Sequence, residues 1–338
     1  GGSYTGKGIL DFAAFEQGLQ GRVPDNRLLS HDLFEGIHGR AGLVTDIVLY
    51  EDYPPHYLAY TRRLHRWVRG DWQLLPWLGP RVPHVSGKPI KSNLSPLDRW
   101  KILDNLRRSL VPSALMALLV IGWLWLPGPA WVWTVIGALT LGLPFLTQLT
   151  SDITHYLRTY EAPAFTSATR FGLFRWLLGL AFLPYEGSIM IDAVLTTLDR
   201  MYISHKRLLQ WTTAAHTVTL FGKTTHVKIT LNLMLRSPLI ACILALLCAR
   251  LRPEALASAA PLLYGWALAP WIAHALSRPL ASTSPILSVQ QHQLLRSLAR
   301  RTWLYFEHFV GPDDAWLPPD HFQEDPKGMT SHSTSPQT

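Results

Sequence analysis

Apolar residues are spread unevenly along the chain. Four windows, Leu110–Leu126, Pro129–Thr150, Ser237–Ala249 and Leu256–Leu276, are nearly uncharged, and most approach the roughly 20 residues a helix needs to cross a bilayer. They predict about four membrane spans. Ser237–Ala249 is short and follows Arg236, so a buried core helix is an alternative reading of that window. Phe171–Ser188 is also apolar but contains Arg175 and a proline, which points to an interfacial or re-entrant segment. The following IDAVLTTLDRMYISHKRLLQW is amphipathic and ends in basic residues, as expected of a helix lying on a membrane surface. Gln290–Phe309 predicts a further amphipathic helix, and the tail from Gly311 has the composition of a linker.

Before the first window the pattern differs. Gly42–Tyr50 (GLVTDIVLY) reads as a strand ending at the EDYPP turn, within a polar, turn-rich stretch that suggests the end of an α/β domain. From Tyr57 to Leu75 the period becomes helical. Tyr57, Tyr60, Leu64, Trp67, Val68, Leu74 and Leu75 share one face, and Arg62, Arg66, Arg69 and Gln73 form the opposite stripe, with Gly70 as a possible break.

Charge orients this arrangement. The flank DRWKILDNLRRS ahead of the first span carries Arg99, Lys101, Arg107 and Arg108, whereas the PGP turn, Pro127–Pro129, has no charge. The positive-inside rule then makes the flank cytoplasmic and puts the turn on the far side. An even number of spans returns the tail to the cytoplasm. The net charge of +8 suits anionic lipid or a phosphorylated substrate. Nucleic acid is disfavoured, because the basic residues lie beside spans or within one helix. Two cysteines inside an apolar run support neither disulfides nor a metal site, and the 14 histidines form no HExxH.

Three features carry candidate chemistry. In SHDLFEG, Asp32 and Glu35 would stand about 60° apart on a helix and could face one pocket. The same spacing suits a capping box with Asp32 as N-cap and Glu35 three residues on, and the two readings are compatible. Arg62, Arg66 and Arg69 could clamp a diphosphate, since guanidinium groups donate paired hydrogen bonds to phosphate oxygens, with Trp67 and Trp72 as surfaces for a sugar ring. A stripe facing solvent or lipid headgroups explains the arginines as well. Gly6, Lys7 and Gly8 lack the rest of a phosphate-binding loop, so a turn is the better reading.

Seven ordered blocks, GGSYTGKGILDFAAFE, NRLLSHDLFEG, GLVTDIVLYEDYP, RRLHRWVRGDWQLLPW, LPYEGSIMIDAVLTTLDRM, HKRLLQWTTAA and RRTWLYFEHFVGPDDAWLPPDHFQEDP, resemble the cyclic β-1,2-glucan synthases of glycosyltransferase family 84. The resemblance spans nearly the whole chain and is weakest from about residue 220 to 288. It implies a bacterial inner-membrane enzyme with a GT-A transferase core that takes glucose from UDP-glucose with Mg2+ or Mn2+ and inverts the anomeric centre.

By position, Asp32 stands where processive synthases keep the catalytic base, with Glu35 supporting the helix start or the acceptor. RLHRW, Arg63–Trp67, occupies the place of a QxxRW motif, so Arg66 would contact the diphosphate and Trp67 the acceptor sugar. Arg69 and Trp72 are neighbouring candidates. Arg63 replaces the Gln, which puts any contact of that Gln in doubt.

The resemblance also implies an early Asp and a DxD motif upstream of the base, and no DxD precedes Asp32. The expected fold is therefore an α/β remnant of a GT-A domain joined to a helical polytopic membrane region. Residues 1–78 form the acceptor-side part, 79–109 a cytoplasmic interfacial segment and 110–150 a transmembrane hairpin. Residues 151–236 form cytoplasmic interfacial helices, 237–277 a second hairpin, and 278–338 a cytoplasmic helix and linker toward a phosphorylase-like domain. The expected partners are UDP-glucose, a glucan acceptor, the bilayer, an N-terminal transferase half and that C-terminal domain. Competing readings are a non-catalytic membrane module of a truncated synthase and a cellulose- or hyaluronan-type synthase fragment.

Overall fold

The computed structural model describes residues 11–29, 32–45, 53–159, 167–210, 227–278, 287–312, 315–319, 321–323 and 329–331. GGSYTGKG and most of the expected Gly42–Tyr50 strand lie outside them. Gly42–Thr45 has no regular structure, and among the described residues before position 78 every regular element is helical. Among the described residues two short antiparallel pairs supply the strands, β1 (Arg81–Val82) with β2 (Ile90–Lys91) and β3 (His321–Gln323) with β4 (Met329–Ser331). The α/β character expected of residues 1–78 is thus not seen among the described residues.

The helices are α1 (Phe12–Leu19), α2 (Asp32–His38), α3 (Tyr57–Gln73), α4 (Pro96–Leu124), α5 (Ala130–Thr159), α6 (Ser167–Tyr202), α7 (Val227–Met234), α8 (Arg236–Leu251), α9 (Pro253–Leu276) and α10 (Val289–Phe309). Local signals set several starts. Ser95 and Asp98 form a capping box ahead of α4, with Pro96 in its first turn, and Ser288 with Gln291 does the same for α10.

Among the described residues four helices are long and apolar enough to cross a membrane, namely α4, α5, α6 and α9, and the chain is a multi-pass membrane protein. Three overlap expected windows; the fourth does not. Phe171–Ser188, expected as an interfacial or re-entrant segment, lies inside the 36-residue α6, which carries Pro184 without interruption. One arginine in an apolar window does not prevent α6 from meeting the length and composition of a span. Ser237–Ala249 falls in α8, only 16 residues long, which meets the criterion only together with α7 across a 51° bend. His205–Gln210 does not continue as a helix; after Tyr202 the described chain leaves helical geometry.

The membrane helices pack around Leu119, Trp123, Cys248, Ala255, Ala259 and Trp266, all fully buried. The two indoles lie 5.6 Å apart, and each finds an acceptor, Thr134 Oγ1 for Trp123 and the Leu180 carbonyl for Trp266. Large apolar side chains such as Ile121, Val135, Leu139, Leu177 and Leu246 point outward, as lipid-facing positions should. At the turn after α4, Gly128 has φ +86°, a conformation that favours glycine. Arg252 donates to the carbonyls of Gly122, Leu126 and Gly128, satisfying the end of α4 from the start of α9.

A separate cluster of Leu28, Phe34, Leu74, Trp77, Val82 and Ile102 seats α2 and the segment after α3 on the opening turns of α4. Helix α3 packs along α6, through Leu58 and Ala59 against Phe182 and Tyr185, and through Val68 against Met190, Ala193 and Val194.

Candidate functional site

Helix α4 is 29 residues long, about 43 Å at 1.5 Å per residue, whereas a bilayer's hydrocarbon core is about 30 Å. Its first turns therefore stand outside the apolar layer. Against them lie α2, α3 and a stretch of α6, and the gap between these elements is a cavity of about 450 Å³. Asp32 and Leu33 line it from α2, and Leu64, Trp67, Val68 and Asp71 from α3. Leu74 adds to that wall, Asn105, Arg108 and Ser109 face it from α4, and Met190 from α6.

Asp32 and Glu35 both fall in the first turn of α2, where the helix dipole favours carboxylates. Asp32 is exposed at the cavity and Glu35 is half-buried. Arg66 is close enough to feel the Asp32 charge. Burial and Arg63 lower its guanidinium pKa, and the Asp32 carboxylate opposes them. The Arg63 guanidinium lies 4.5 Å from the Trp67 ring centroid and 5.7 Å from that of Tyr53, bridging two aromatic surfaces.

The arginine stripe does not act as one unit. Arg69 is 5% exposed, and its two terminal nitrogens donate to the carbonyls of Gln210 and Leu208, each at 2.8 Å. Gln73 donates to the same Leu208 carbonyl and accepts from Leu29 N–H. Burial, with Arg200 nearby, lowers the Arg69 guanidinium to about 10. Arg69 thus anchors the segment after α6 to α3 through both of its terminal nitrogens. Trp72 is likewise engaged: its Nε1 donates to Ser109 Oγ at 2.9 Å, and its ring packs beside Val68 and Met190. The structure therefore gathers Asp32, Arg66, Trp67 and, through Trp67, Arg63, while Arg69 and Trp72 brace the frame. Helix α3 also runs unbroken through Gly70.

One carboxylate at the cavity has no counterpart among the candidates read from the sequence. Asp71 Oδ1 accepts from Asn105 Nδ2 at 2.9 Å, and Asn105 Oδ1 in turn accepts from Arg108 Nη2. Arg108 Nε pairs with Asp104 at 3.1 Å. Burial pushes the Asp71 carboxyl up to about 6; the Asn105 hydrogen bond and Arg108 oppose the rise, and Asp32 adds to it. Its spacing was the available signal: Asp71 follows Trp67 by four residues and so shares its face. Asn105 and Arg108, read only as a basic flank, repeat the i, i+3 spacing on α4.

Among the described residues no group of three or more His, Cys, Asp or Glu could hold a metal ion. Asp32 and Asp71 share their cavity with Arg108, a poor setting for a divalent cation, so these residues do not fit the implied Mg2+ or Mn2+. What the arrangement can do is accept a proton at Asp32, offset negative charge at Arg66 and bind an apolar ring face at Trp67.

No protein-family model matches the chain. It is 37% identical over 345 aligned residues to the cyclic beta-(1,2)-glucan synthase NdvB of Rhizobium meliloti (strain 1021). That alignment takes in 99% of this chain and 12% of that protein. The chain is thus related to a cyclic glucan synthase and corresponds to a small part of that relative's length.

Proposed function

We propose that the chain is the acceptor-side part of a membrane-bound, processive, inverting glucosyltransferase that moves glucose from UDP-glucose to a growing cyclic β-1,2-glucan. The observation that carries this reading is that Asp32 and Trp67 line one cavity beside the first turns of a helix long and apolar enough to cross a membrane, with Arg66 near enough to feel the Asp32 charge. The similarity to NdvB supports the glucan as product.

Asp32 takes the proton from an acceptor hydroxyl, whose oxygen forms the new bond to the donor's anomeric carbon. The bond from that carbon to the diphosphate oxygen breaks on the opposite face, which inverts the centre and releases UDP. Arg66 offsets the negative charge that develops on the leaving diphosphate. Trp67 stacks under the acceptor ring, and Arg63, lying against that indole, steadies its orientation. Glu35 supports the start of α2. The donor's uridine and its divalent ion are held by a GT-A half that the chain would complete. The site faces the cytoplasm of a bacterial inner membrane, where the sugar nucleotide is available.

The test is synthesis of glucan from UDP-glucose in membranes containing the complete synthase, with product linkage read by methylation analysis. Asp32→Asn should lower the rate on the order of 100-fold or more with β-1,2 linkages in what remains. A near-normal rate for that variant would remove Asp32 from the role of base.

A further inference from the structure

The proposed reaction leaves Asp71 without a task, although this carboxylate lines the same cavity as Asp32 and Trp67. Its position is strongly determined. Asn105 holds one of its oxygens, Arg108 holds Asn105, and Asp104 holds Arg108, so the carboxylate is oriented from α4, the helix that continues into the membrane. A carboxylate has about four acceptor positions on two oxygens, and one amide donor fills only one of them. The cavity volume lies within the range of pockets that hold small molecules, and an indole beside hydrogen-bonding groups suits a neutral sugar.

We propose that Asp71 is a hydroxyl-binding residue for the acceptor sugar, accepting a hydrogen bond from a hydroxyl of the terminal glucose adjacent to the one presented to Asp32. This inference rests on the reading of the cavity as the acceptor site. The two carboxylates divide the work by environment: Asp32 is exposed and takes the proton, whereas Asp71 is mostly withdrawn from water and fixes the ring. Holding a neighbouring hydroxyl would decide which oxygen reaches Asp32, making Asp71 a determinant of linkage. Its connection to α4 also ties acceptor position to the helix along which the product would meet the bilayer.

The measurement is binding of short linear β-1,2-linked glucose oligomers to the full chain in lipid nanodiscs, by calorimetry at about pH 5 and about pH 7.5. The charged groups facing Asp71 are Asp32 from α2 and Arg108 from α4, and α6 contributes Met190. Because the ionised carboxylate is the stronger acceptor, wild-type affinity should rise between the two pH values. Asp71→Asn should weaken binding at the higher pH by about tenfold and erase the rise. Asp32→Asn should keep the rise, and Asn105→Ala should weaken binding less than Asp71→Asn while also keeping it.

Binding of Asp71→Asn within twofold of wild type, with the pH rise intact, would overturn the assignment. Trp67→Ala separates the two levels. If it weakens binding while Asp71→Asn does not, the cavity takes sugar and Asp71 is not the residue that holds it. If the wild-type chain binds no oligomer, the acceptor-site reading fails and this inference fails with it.

Discussion

Replacing Asp71 by Asn keeps the side chain's shape and a partner for Asn105 but removes a group that resists ionisation. In the folded chain the carboxyl ionises at about 6, against an ordinary value of 3.8. Between those values the folded state keeps a proton that the unfolded chain has released, so stability falls as pH rises through that window and stays low above it. The gap of about 2.2 pH units, at 1.36 kcal/mol each, is about 3 kcal/mol. Asn carries no such penalty. Thermal unfolding in detergent, followed by tryptophan fluorescence at about pH 4 and pH 7.5, is the assay. Asp71→Asn should match wild type at the lower pH and exceed it by a few degrees at the higher one. An equal or lower melting temperature at pH 7.5, or the same advantage at both pH values, would refute the reasoning. The predicted pattern, a residue whose removal stabilises the fold and weakens sugar binding, is what a strained functional group produces.

Arg69→Met should destabilise the chain by about 3 kcal/mol, because two charge-assisted hydrogen bonds are lost and the Gln210 carbonyl is left without its Arg69 donor, Leu208 keeping only the one from Gln73. Limited proteolysis should then cut near residues 203–210 faster than in wild type. Arg252→Ala should cost about 2–4 kcal/mol in thermal unfolding, since three carbonyls at the end of α4 lose their shared donor. Gly122→Ala should lower the melting temperature, because the new methyl would sit 2.5 Å from Trp133 Cβ, and overpacking of this kind costs about 1–3 kcal/mol.

Hydrophobic windows made three of the four long spans legible, along with α10, whose observed bounds differ from the expected Gln290–Phe309 by one residue. At α6 one arginine and one proline within the apolar run pointed to an interfacial segment, whereas the helix runs through both and reaches the length and apolar content of a span. Periodicity placed α3 correctly but not its faces. Arg69 and Gln73 are buried because the chain after α6 folds back onto them, a tertiary contact that no local pattern encodes. Asp32 and Trp67 line one cavity and Arg66 feels the Asp32 charge, an arrangement that spacing alone did not predict, since it left a capping box and a solvated stripe open. Asp71 escaped notice because Asn105 and Arg108, which orient it, lie more than 30 residues away on a helix whose charges were read only as topology. The apolar pattern likewise hid Arg252, since the PGP turn that it stabilises contains no charge of its own.

The central claim is that the cavity between α2, α3 and α4 receives the end of a glucan. An experimental structure of the complete synthase with a short β-1,2-glucan bound tests it most directly. The account predicts the terminal glucose stacked on Trp67, with one hydroxyl within hydrogen-bond reach of Asp32 and its neighbour on Asp71. A glucan bound elsewhere, with this cavity empty of sugar, would contradict it.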